Sequence, residues 1–296
     1  MTDIGPQYDQ DDPFKVKARL HQSRYRANVL QVGYNVYGNR LTGPDAQALL
    51  NYYDGVGVRE QLKARYPDFS QKRDGDMLRS EHIPFNLFGP LVSDPALARQ
   101  VIGAAFGIKC SGDIQIKFEY APEPKEKYLD DATAFDVFVK CTGQSGEITG
   151  LGIEVKYTEQ SYPIGKKESV KVRELQSPYS LVTRESGCFT ADVLNKLGAE
   201  DNELAKDKLR QIWRNHLLGL AMVRNKDLSR FYSITLFPSG NHHFIEAIPD
   251  YKGHLVPAAS DGVKACTYEE FIAAIDGDGK VQEWKKFLKA RYIVND

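Results

Sequence analysis

Residues 134–156 decide the fold, and they read AFDVFVK (134–140), CTGQSGEITG (141–150) and LGIEVK (151–156). Two runs rich in β-branched and aromatic residues flank a stretch of Thr, Gly and Ser that is typical of a turn. The runs predict one strand from Ala134 to Lys140 and another from Ile148 to Lys156. The short connection predicts that these strands pair as a hairpin.

Three of the charged residues in this hairpin are candidates for a site. Side chains alternate between the two faces of a strand, so Glu154 and Lys156 share one face while the apolar residues of their strand occupy the other. Asp136 is the acid of the preceding strand, and a hairpin of this length can place it beside Glu154.

The Glu154-Val-Lys156 triplet is distinguished by its context, because acid-x-Lys triplets are expected by chance in a chain of this composition. The sequence contains four more, which fall in loop-like or helical sequence: Glu123–Lys125, Asp250–Lys252, Asp278–Lys280 and Glu283–Lys285. The triplet at Glu154 alone lies in a predicted strand beside a second acid.

Two converging carboxylates repel each other unless a divalent cation lies between them. Carboxylate oxygens suit Mg²⁺, which takes one or two such ligands and keeps several waters. A bound Mg²⁺ would acidify a water and neutralise charge on a phosphate, while Lys156 would orient that water or stabilise the transition state. The alternative is an ordinary exposed Glu154–Lys156 pair beside an unrelated Asp136.

The sequence before the hairpin is mainly helical. Asp94-Pro95 predicts the start of a helix that ends at Gly107, and alternation over Ile114–Tyr120 predicts a strand. Helices are also expected within 15–30, 43–53 and 76–91, the last ended by Gly89 and Pro90. We expect three parts: an acidic flexible tail over 1–13, a helical N-terminal extension over 14–75 and a main domain over 76–296.

After the hairpin, residues 202–223 predict a strong amphipathic helix, because apolar side chains recur on one face from Leu209 to Leu220. A strand is expected over 231–237 and another over 243–248. Two helices close the chain, one capped by Thr267 and one over Glu283–Tyr292.

The composition limits the function. Lys and Arg number 39 against 40 Asp and Glu, so any site for a polyanion must be local. The basic segment 15–30 is either a solvated helix face or an arm that contacts phosphates. The four cysteines lie far apart, so we expect them to be reduced, and with no apolar run long enough for a membrane span we expect a cytoplasmic protein. The oligomeric state is not indicated.

The order of these features resembles that of the PD-(D/E)XK nuclease superfamily. That superfamily places an Asp and then a Glu-x-Lys on neighbouring strands, between two helices, as Asp136, Glu154 and Lys156 stand here. The resemblance is closest to bacterial members with a Ser-Glu pair and an Asn-x-Phe-x-Pro-Leu-like stretch, which read Ser80-Glu81 and Asn86–Leu91 in this chain. Phe135 replaces the proline of the superfamily's name.

The resemblance implies an α/β restriction-endonuclease-like core, in which a central mixed sheet is flanked by helices. It implies further site residues: Glu81 as an additional metal ligand, Glu119 as a second metal contact, and Gln211 and Arg214 over the substrate phosphate. For Glu81 the alternative is an ordinary solvated helix residue, and for Gln211 and Arg214 it is a plain helix surface. The basic loop from Lys166 to Arg173, which includes Lys167, would be a mobile phosphate-binding loop or simply solvated.

We therefore expect a nuclease that uses Mg²⁺, with Mn²⁺ as a substitute, to hydrolyse phosphodiester bonds of nucleic acid, most plausibly DNA. The main alternative is a catalytically inactive nucleic-acid-binding or assembly protein on the same fold. A small-molecule enzyme is a third reading, but no cofactor loop is recognisable in the sequence.

Overall fold

Five strands form one mixed sheet in the order β1-β2-β3-β4-β5. The computed structural model of the protein describes residues 3–161 and 164–294, and of Lys166 and Lys167 it describes the backbone alone. The first three strands are antiparallel neighbours, and β4 and β5 add in parallel. The strands are β1 Ile114–Tyr120, β2 Phe135–Thr142, β3 Ile148–Val155, β4 Arg230–Phe237 and β5 Val263–Thr267. The expected hairpin is thus confirmed as β2 and β3.

Helices cover both faces of this sheet. Before β1 lie α1 Pro13–Tyr25, which continues as a π-helix over Arg26–Leu30, α2 Gly43–Gln47, α3 Val58–Arg65, α4 Gln71–Gly75, α5 Ile83–Val92 and α6 Pro95–Phe106. Between β3 and β4 lie α7 Lys166–Arg173, α8 Pro178–Glu185, α9 Ala191–Lys196 and α10 Asp207–Arg224. The remaining helices are α11 His242–Gly253, α12 Pro257–Ser260, α13 Tyr268–Ala274 and α14 Lys280–Tyr292. Short 3-10 turns occur at Ser80–His82, Lys125–Lys127 and Glu203–Ala205.

Each face of the sheet has its own hydrophobic core, as expected for a sheet between two helical layers. On one face, Val137 and Ile153 pack with side chains of α3, α5, α6, α13 and α14. On the other, Phe138 and Phe231 pack with side chains of α8, α10 and α11. The structure is therefore the restriction-endonuclease-like α/β fold that the sequence led us to expect.

The helix predicted over 76–91 is present, but it starts and ends at other residues than predicted. It begins as α5 at Ile83 and passes through Pro90 to Val92. A proline inside a helix leaves the carbonyl four residues earlier without its usual donor. Here that carbonyl belongs to Asn86, and it accepts a hydrogen bond from Trp284 Nε1 at 2.8 Å. Packing against α14 thus lets the helix continue past Pro90.

The prediction of a strand over 243–248 is wrong, because this segment belongs to helix α11. Its buried residues, Phe244, Ala247, Ile248 and Tyr251, recur at the spacing of one helix face. The short strand β5 was not predicted, since only Val263 and Cys266 are buried and their spacing does not follow the alternation of a strand. The helix expected over 43–53 is shorter than predicted and ends at Gln47.

The described part of the acidic segment, which we expected to be a flexible tail, contacts the body of the protein. Gly38 N donates to Pro6 O at 2.9 Å, and Asp12 caps α1 through Lys15 N at 3.0 Å. The segment expected to form a separate extension also contributes to the first core, through Val58 and Leu62.

The helix expected over 15–30 is confirmed, but two of its cations face inward. Arg19 is buried against Asp11 and Asn39, and Arg26 donates to the Gly38 carbonyl at 2.8 Å. Neither guanidinium is placed to contact a phosphate outside the protein. The hypothesis of a phosphate-binding arm therefore fails for these two residues.

The expectation of four reduced cysteines is wrong, because Cys110 and Cys141 form a disulfide bond. Cys141 pairs with Ile114 across β1 and β2, which brings it next to the chain that leads into β1. Cys188 and Cys266 are free thiols. Among residues 3–161 and 164–294, no helix is long and apolar enough to cross a bilayer.

Candidate active site

The register of the hairpin brings Asp136 and Glu154 together. Val137 pairs with Ile153, so each acid stands one residue beyond that pair on its own strand. The Asp136 carboxylate crosses to the partner strand, where Oδ2 accepts a hydrogen bond from Val155 N at 2.7 Å. The predicted neighbourhood of the two acids is thus present, and it is fixed by backbone pairing.

Lys156 points its ammonium group at Glu154, with Nζ 2.6 Å from Oε1. Its side chain is 6% exposed, and that of Glu154 is 13% exposed. The backbone of Lys156 is also held, because its N–H donates to Leu236 O at 2.9 Å and its carbonyl accepts from Tyr268 Oη at 2.6 Å. The lysine is therefore fixed at both its backbone and its charged end.

Burial and like charge act together on Asp136. Burial raises the pKa of Asp136 well above its ordinary value, and Glu154 and Glu119 raise it further, whereas Lys156 and the Val155 N–H lower it. For Lys156, burial alone would lower the pKa, but Glu154 and Asp136 outweigh burial and raise it. Lys156 is consequently charged at neutral pH. A further cation beside Asp136 would relieve the repulsion between the acids.

Glu119 is the third acid in this region. It stands on β1 between Phe118 and Tyr120, whose partners on β2 are the residues on either side of Asp136. Its φ is +48°, an uncommon conformation for a residue with a side chain. Burial raises the pKa of Glu119, as does Glu154, while Arg65 and the Tyr66 hydroxyl lower it.

Glu81 lies on the 3-10 turn before α5, and not within the helix as expected. Its side chain is 44% exposed and forms an ion pair with Arg79. A further carboxylate, Glu159, follows β3 and accepts from Ser80 N at 3.0 Å and from Tyr157 N at 2.9 Å. Glu159 was not predicted, although an acid just after the Glu-x-Lys strand was a signal for it.

Helix α10 covers the acids on the side of the second core. A narrow pocket between α10 and the sheet is lined by Glu154, Lys156, Gln211, Ile212, Asn215, Ser233, Thr235 and Phe244. Gln211 thus lies beside the catalytic candidates, as the resemblance implied. Asn215 was not predicted, yet its Nδ2 donates to Glu154 Oε2 at 2.6 Å. Its position one helical turn after Gln211 was the available signal.

The other predicted phosphate contacts lie away from this pocket. Arg214 forms an ion pair with Glu168 of α7, with Nη1 3.5 Å from Oε1. The prediction of a loop from Lys166 to Arg173 is wrong, because these residues form helix α7. The side chains of Lys166 and Lys167 lie outside what the structure describes, so their predicted role is not located.

The donor set suits a hard divalent cation. Asp136 and Glu154 offer carboxylate oxygens, and Mg²⁺ needs only one or two of these when waters complete its coordination. In the described part of the chain, no group of three His, Cys, Asp or Glu side chains lies close enough together to hold a metal ion without further ligands. Glu154 also has both oxygens engaged, by Lys156 and Asn215. A cation there would have to share Glu154 with these two side chains.

The family comparison agrees with this geometry. The model of the PD-(D/E)XK nuclease superfamily matches residues 9–294, nearly the whole chain. The protein belongs to the PD-(D/E)XK nuclease superfamily. The match includes the N-terminal helices as well as the sheet. No curated protein and no solved structure matches this superfamily member.

Proposed function

We propose that this protein is a metal-dependent nuclease that hydrolyses phosphodiester bonds of nucleic acid, with DNA as the first substrate to test. The observation that carries the proposal is the Asp136 carboxylate opposite Glu154, with the Lys156 ammonium 2.6 Å from Glu154. Acids and a lysine that shift one another's pKa values in this way cluster at functional sites. Membership of a nuclease superfamily supports the same reaction.

Asp136 and Glu154 would hold the metal ion, and Glu119 is the next carboxylate available to it. A bound Mg²⁺ would supply an acidified water and neutralise charge on the phosphate. Lys156 is charged in the metal-free protein, so it can donate a hydrogen bond to the attacking oxygen or to the phosphate. Asn215 and Lys156 hold the two oxygens of Glu154 in one orientation.

The second candidate is a nucleic-acid-binding or assembly protein without catalysis. One observation favours it: both oxygens of Glu154 are already engaged, by Lys156 and by Asn215. The complete set of Asp136, Glu154 and Lys156 favours catalysis, because a protein that only binds has no need to bury two acids and a lysine together.

Cleavage assays with a matched lysine control test the proposal. Wild type, Lys156→Ala and Lys140→Ala would be incubated with single- and double-stranded DNA and RNA, in Mg²⁺, in Mn²⁺ and in EDTA. Lys140 lies on the same hairpin but pairs across from Gly150, away from the acids. We expect metal-dependent cleavage by wild type and Lys140→Ala and about a hundredfold loss or more in Lys156→Ala. Equal activity of all three proteins would disprove the mechanism.

A binding measurement separates the metal site from the reaction. Calorimetry with Mn²⁺ would compare wild type with Asp136→Asn, which keeps the shape of the side chain but removes its charge. We expect the variant to bind Mn²⁺ at least tenfold more weakly, because a coordinating carboxylate is lost. Unchanged affinity would remove Asp136 from the site.

A further inference from the structure

Helix α10 presents two parallel rows of polar side chains. Gln211 and Asn215, four residues apart, line the pocket of the catalytic acids. Arg210 and Arg214, also four residues apart, lie next to them on the same helix and face α7. The two arginines thus flank the pocket on the side of α7, one residue along the helix from each of its polar lining residues.

Both arginines meet the same carboxylate. Glu168 Oε1 accepts a hydrogen bond from Arg210 Nε at 3.2 Å, and it lies 3.5 Å from Arg214 Nη1. Arg210 has a second acid, Asp207, with Nη1 2.6 Å from Oδ1. Arg214 is different, because its buried Nε has no hydrogen-bond partner among the residues that the structure describes. Its guanidinium therefore retains an unused donor beside Glu168.

The charge of α7 is unusual for a helix that packs beside two arginines. Its sequence, KKESVKVR, carries four cations, and Glu168 is its one acid. Glu168 makes the ion pairs that join α7 to Arg210 and Arg214 of α10, and the C-terminal half of α7 is held separately. That half is anchored by the buried Val172 and by Lys171, which donates to the Leu129 carbonyl at 3.4 Å.

We propose that Glu168 is an internal stand-in for a nucleic-acid phosphate, and that a backbone phosphate displaces it when substrate binds. A carboxylate and a phosphate both accept hydrogen bonds from a guanidinium, so one can replace the other on Arg210 and Arg214. The inference rests on the proposed function and adds a control of access to the same site.

This arrangement accounts for a nucleic-acid site in a protein of nearly zero net charge. Arg210 and Arg214 share Glu168, which masks this pair of arginines until a stronger anion arrives. A site of this kind would bind polyanions more strongly than the overall charge indicates.

Substitution of Glu168 with a matched charge control tests the inference. Glu168→Gln would be compared with Glu174→Gln, which removes an equal charge from an exposed position just after α7. Affinity for a short fluorescent oligonucleotide would be measured by anisotropy in EDTA, so that cleavage plays no part. We expect Glu168→Gln to bind about fivefold more tightly than wild type, the effect of removing one competing ion pair, and Glu174→Gln to bind as wild type does.

Hydrogen exchange gives a second readout that does not depend on affinity. Without oligonucleotide, the α7 amides should exchange faster in Glu168→Gln than in Glu174→Gln, because the ion pairs no longer hold the helix. Arg214→Gln removes the ion pair between Glu168 and Arg214 by changing α10 and not α7. This variant should also speed the exchange of the α7 amides, yet it should weaken oligonucleotide binding because a phosphate contact is lost.

The outcomes separate this inference from the proposed function. If wild type binds the oligonucleotide but Glu168→Gln binds no more tightly than Glu174→Gln, Glu168 is not a stand-in and the nuclease proposal is untouched. If α7 exchange is equal in the two variants, the inference also fails. If wild type binds no oligonucleotide of any kind, both the proposed function and this inference are overturned.

Discussion

Asn215 holds Glu154 in place: its side-chain Nδ2 donates to Oε2 of Glu154 at 2.6 Å. Since Lys156 occupies Oε1 at the same distance, the carboxylate is fixed from two sides. Asn215 is 4% exposed, and its own Oδ1 is buried with no partner among the described residues. A buried amide with one oxygen unused is costly, so its retention beside Glu154 points to a positioning role.

Removing this amide should loosen the site. We expect Asn215→Ala to bind Mn²⁺ about 10- to 100-fold more weakly than wild type, as is typical when a group that orients a metal ligand is lost. Asn215→Asp should be at least as damaging, because it places a second negative charge against Glu154. Calorimetry with Mn²⁺ measures both effects.

The matched control is Asn225→Ala, which changes the C-cap of the same helix. Asn225 is exposed, and its amide donates to the Lys127 carbonyl, away from the acids. It should bind Mn²⁺ as wild type does. If Asn215→Ala and Asn225→Ala behave alike, Asn215 contributes only to packing.

The hairpin and its charged residues were predictable because they depend on local patterns. Alternation over Ile148–Lys156 specifies one face, and register then follows from the short turn, so Asp136 and Glu154 meet. Helix α10 has a strong apolar stripe, and its existence was equally plain. Asn215 was not predicted, because the apolar stripe of a helix shows which side is buried but does not show which polar residue at the edge of the stripe faces the sheet.

Other features depend on contacts between distant segments. The path of α5 through Pro90 requires Trp284 from the far end of the chain. The masking of Arg214 requires Glu168 on a helix that sequence patterns indicated to be a loop. The disulfide joins cysteines 31 residues apart, and no motif marks such a pair. Local sequence carries none of this information.

Reduction of the disulfide should destabilise the protein without changing its fold. The bond between Cys110 and Cys141 closes a loop of 31 residues, for which the chain-entropy estimate is about 3.5 kcal/mol. Denaturant unfolding with and without a thiol-free reductant measures the difference. A Cys110→Ser, Cys141→Ser double variant should have the stability of the reduced protein and should not respond to reductant. A response of that variant would mean that another group is the target.

The burial of Asp136 should make the stability of the metal-free protein fall as the pH rises. Its pKa is raised in the folded state, chiefly by burial and then by Glu154, so the folded state favours the protonated form. Protonated Asp136 contributes fully to the stability of the folded state below its ordinary pKa of 3.8. This contribution is lost as the pH rises through the raised pKa of the folded state. At pH 8, Asp136→Asn should therefore melt at a higher temperature than wild type. The melting temperature should rise by roughly 2–4 °C for each kcal/mol by which the substitution increases the free energy of unfolding.

The same difference should shrink toward pH 4, where the wild-type acid is protonated. The exposed Asp113→Asn is the matched control and should follow wild type at every pH. Adding Mg²⁺ at pH 8 should raise the melting temperature of wild type more than that of Asp136→Asn, since the variant has lost a ligand. A pH-independent gap between wild type and Asp136→Asn would show that charge burial is not its cause.

The packing of α10 against the sheet sets the distance between Asn215 and Glu154, and Gly219 permits that packing. A Cβ at Gly219 would lie 2.1 Å from Phe231 Cε1, whereas a Cβ at Gly103 in α6 would meet nothing closer than 3.9 Å. In an open helix, Gly→Ala stabilises by about 1 kcal/mol, so Gly103→Ala should raise the free energy of unfolding. Gly219→Ala should lower it by about 1–3 kcal/mol, because α10 must move away from β4. Denaturant unfolding measures both, and the shift of α10 should also weaken Mn²⁺ binding in Gly219→Ala alone. Stabilisation by both substitutions would mean that Phe231 yields and that α10 keeps its place.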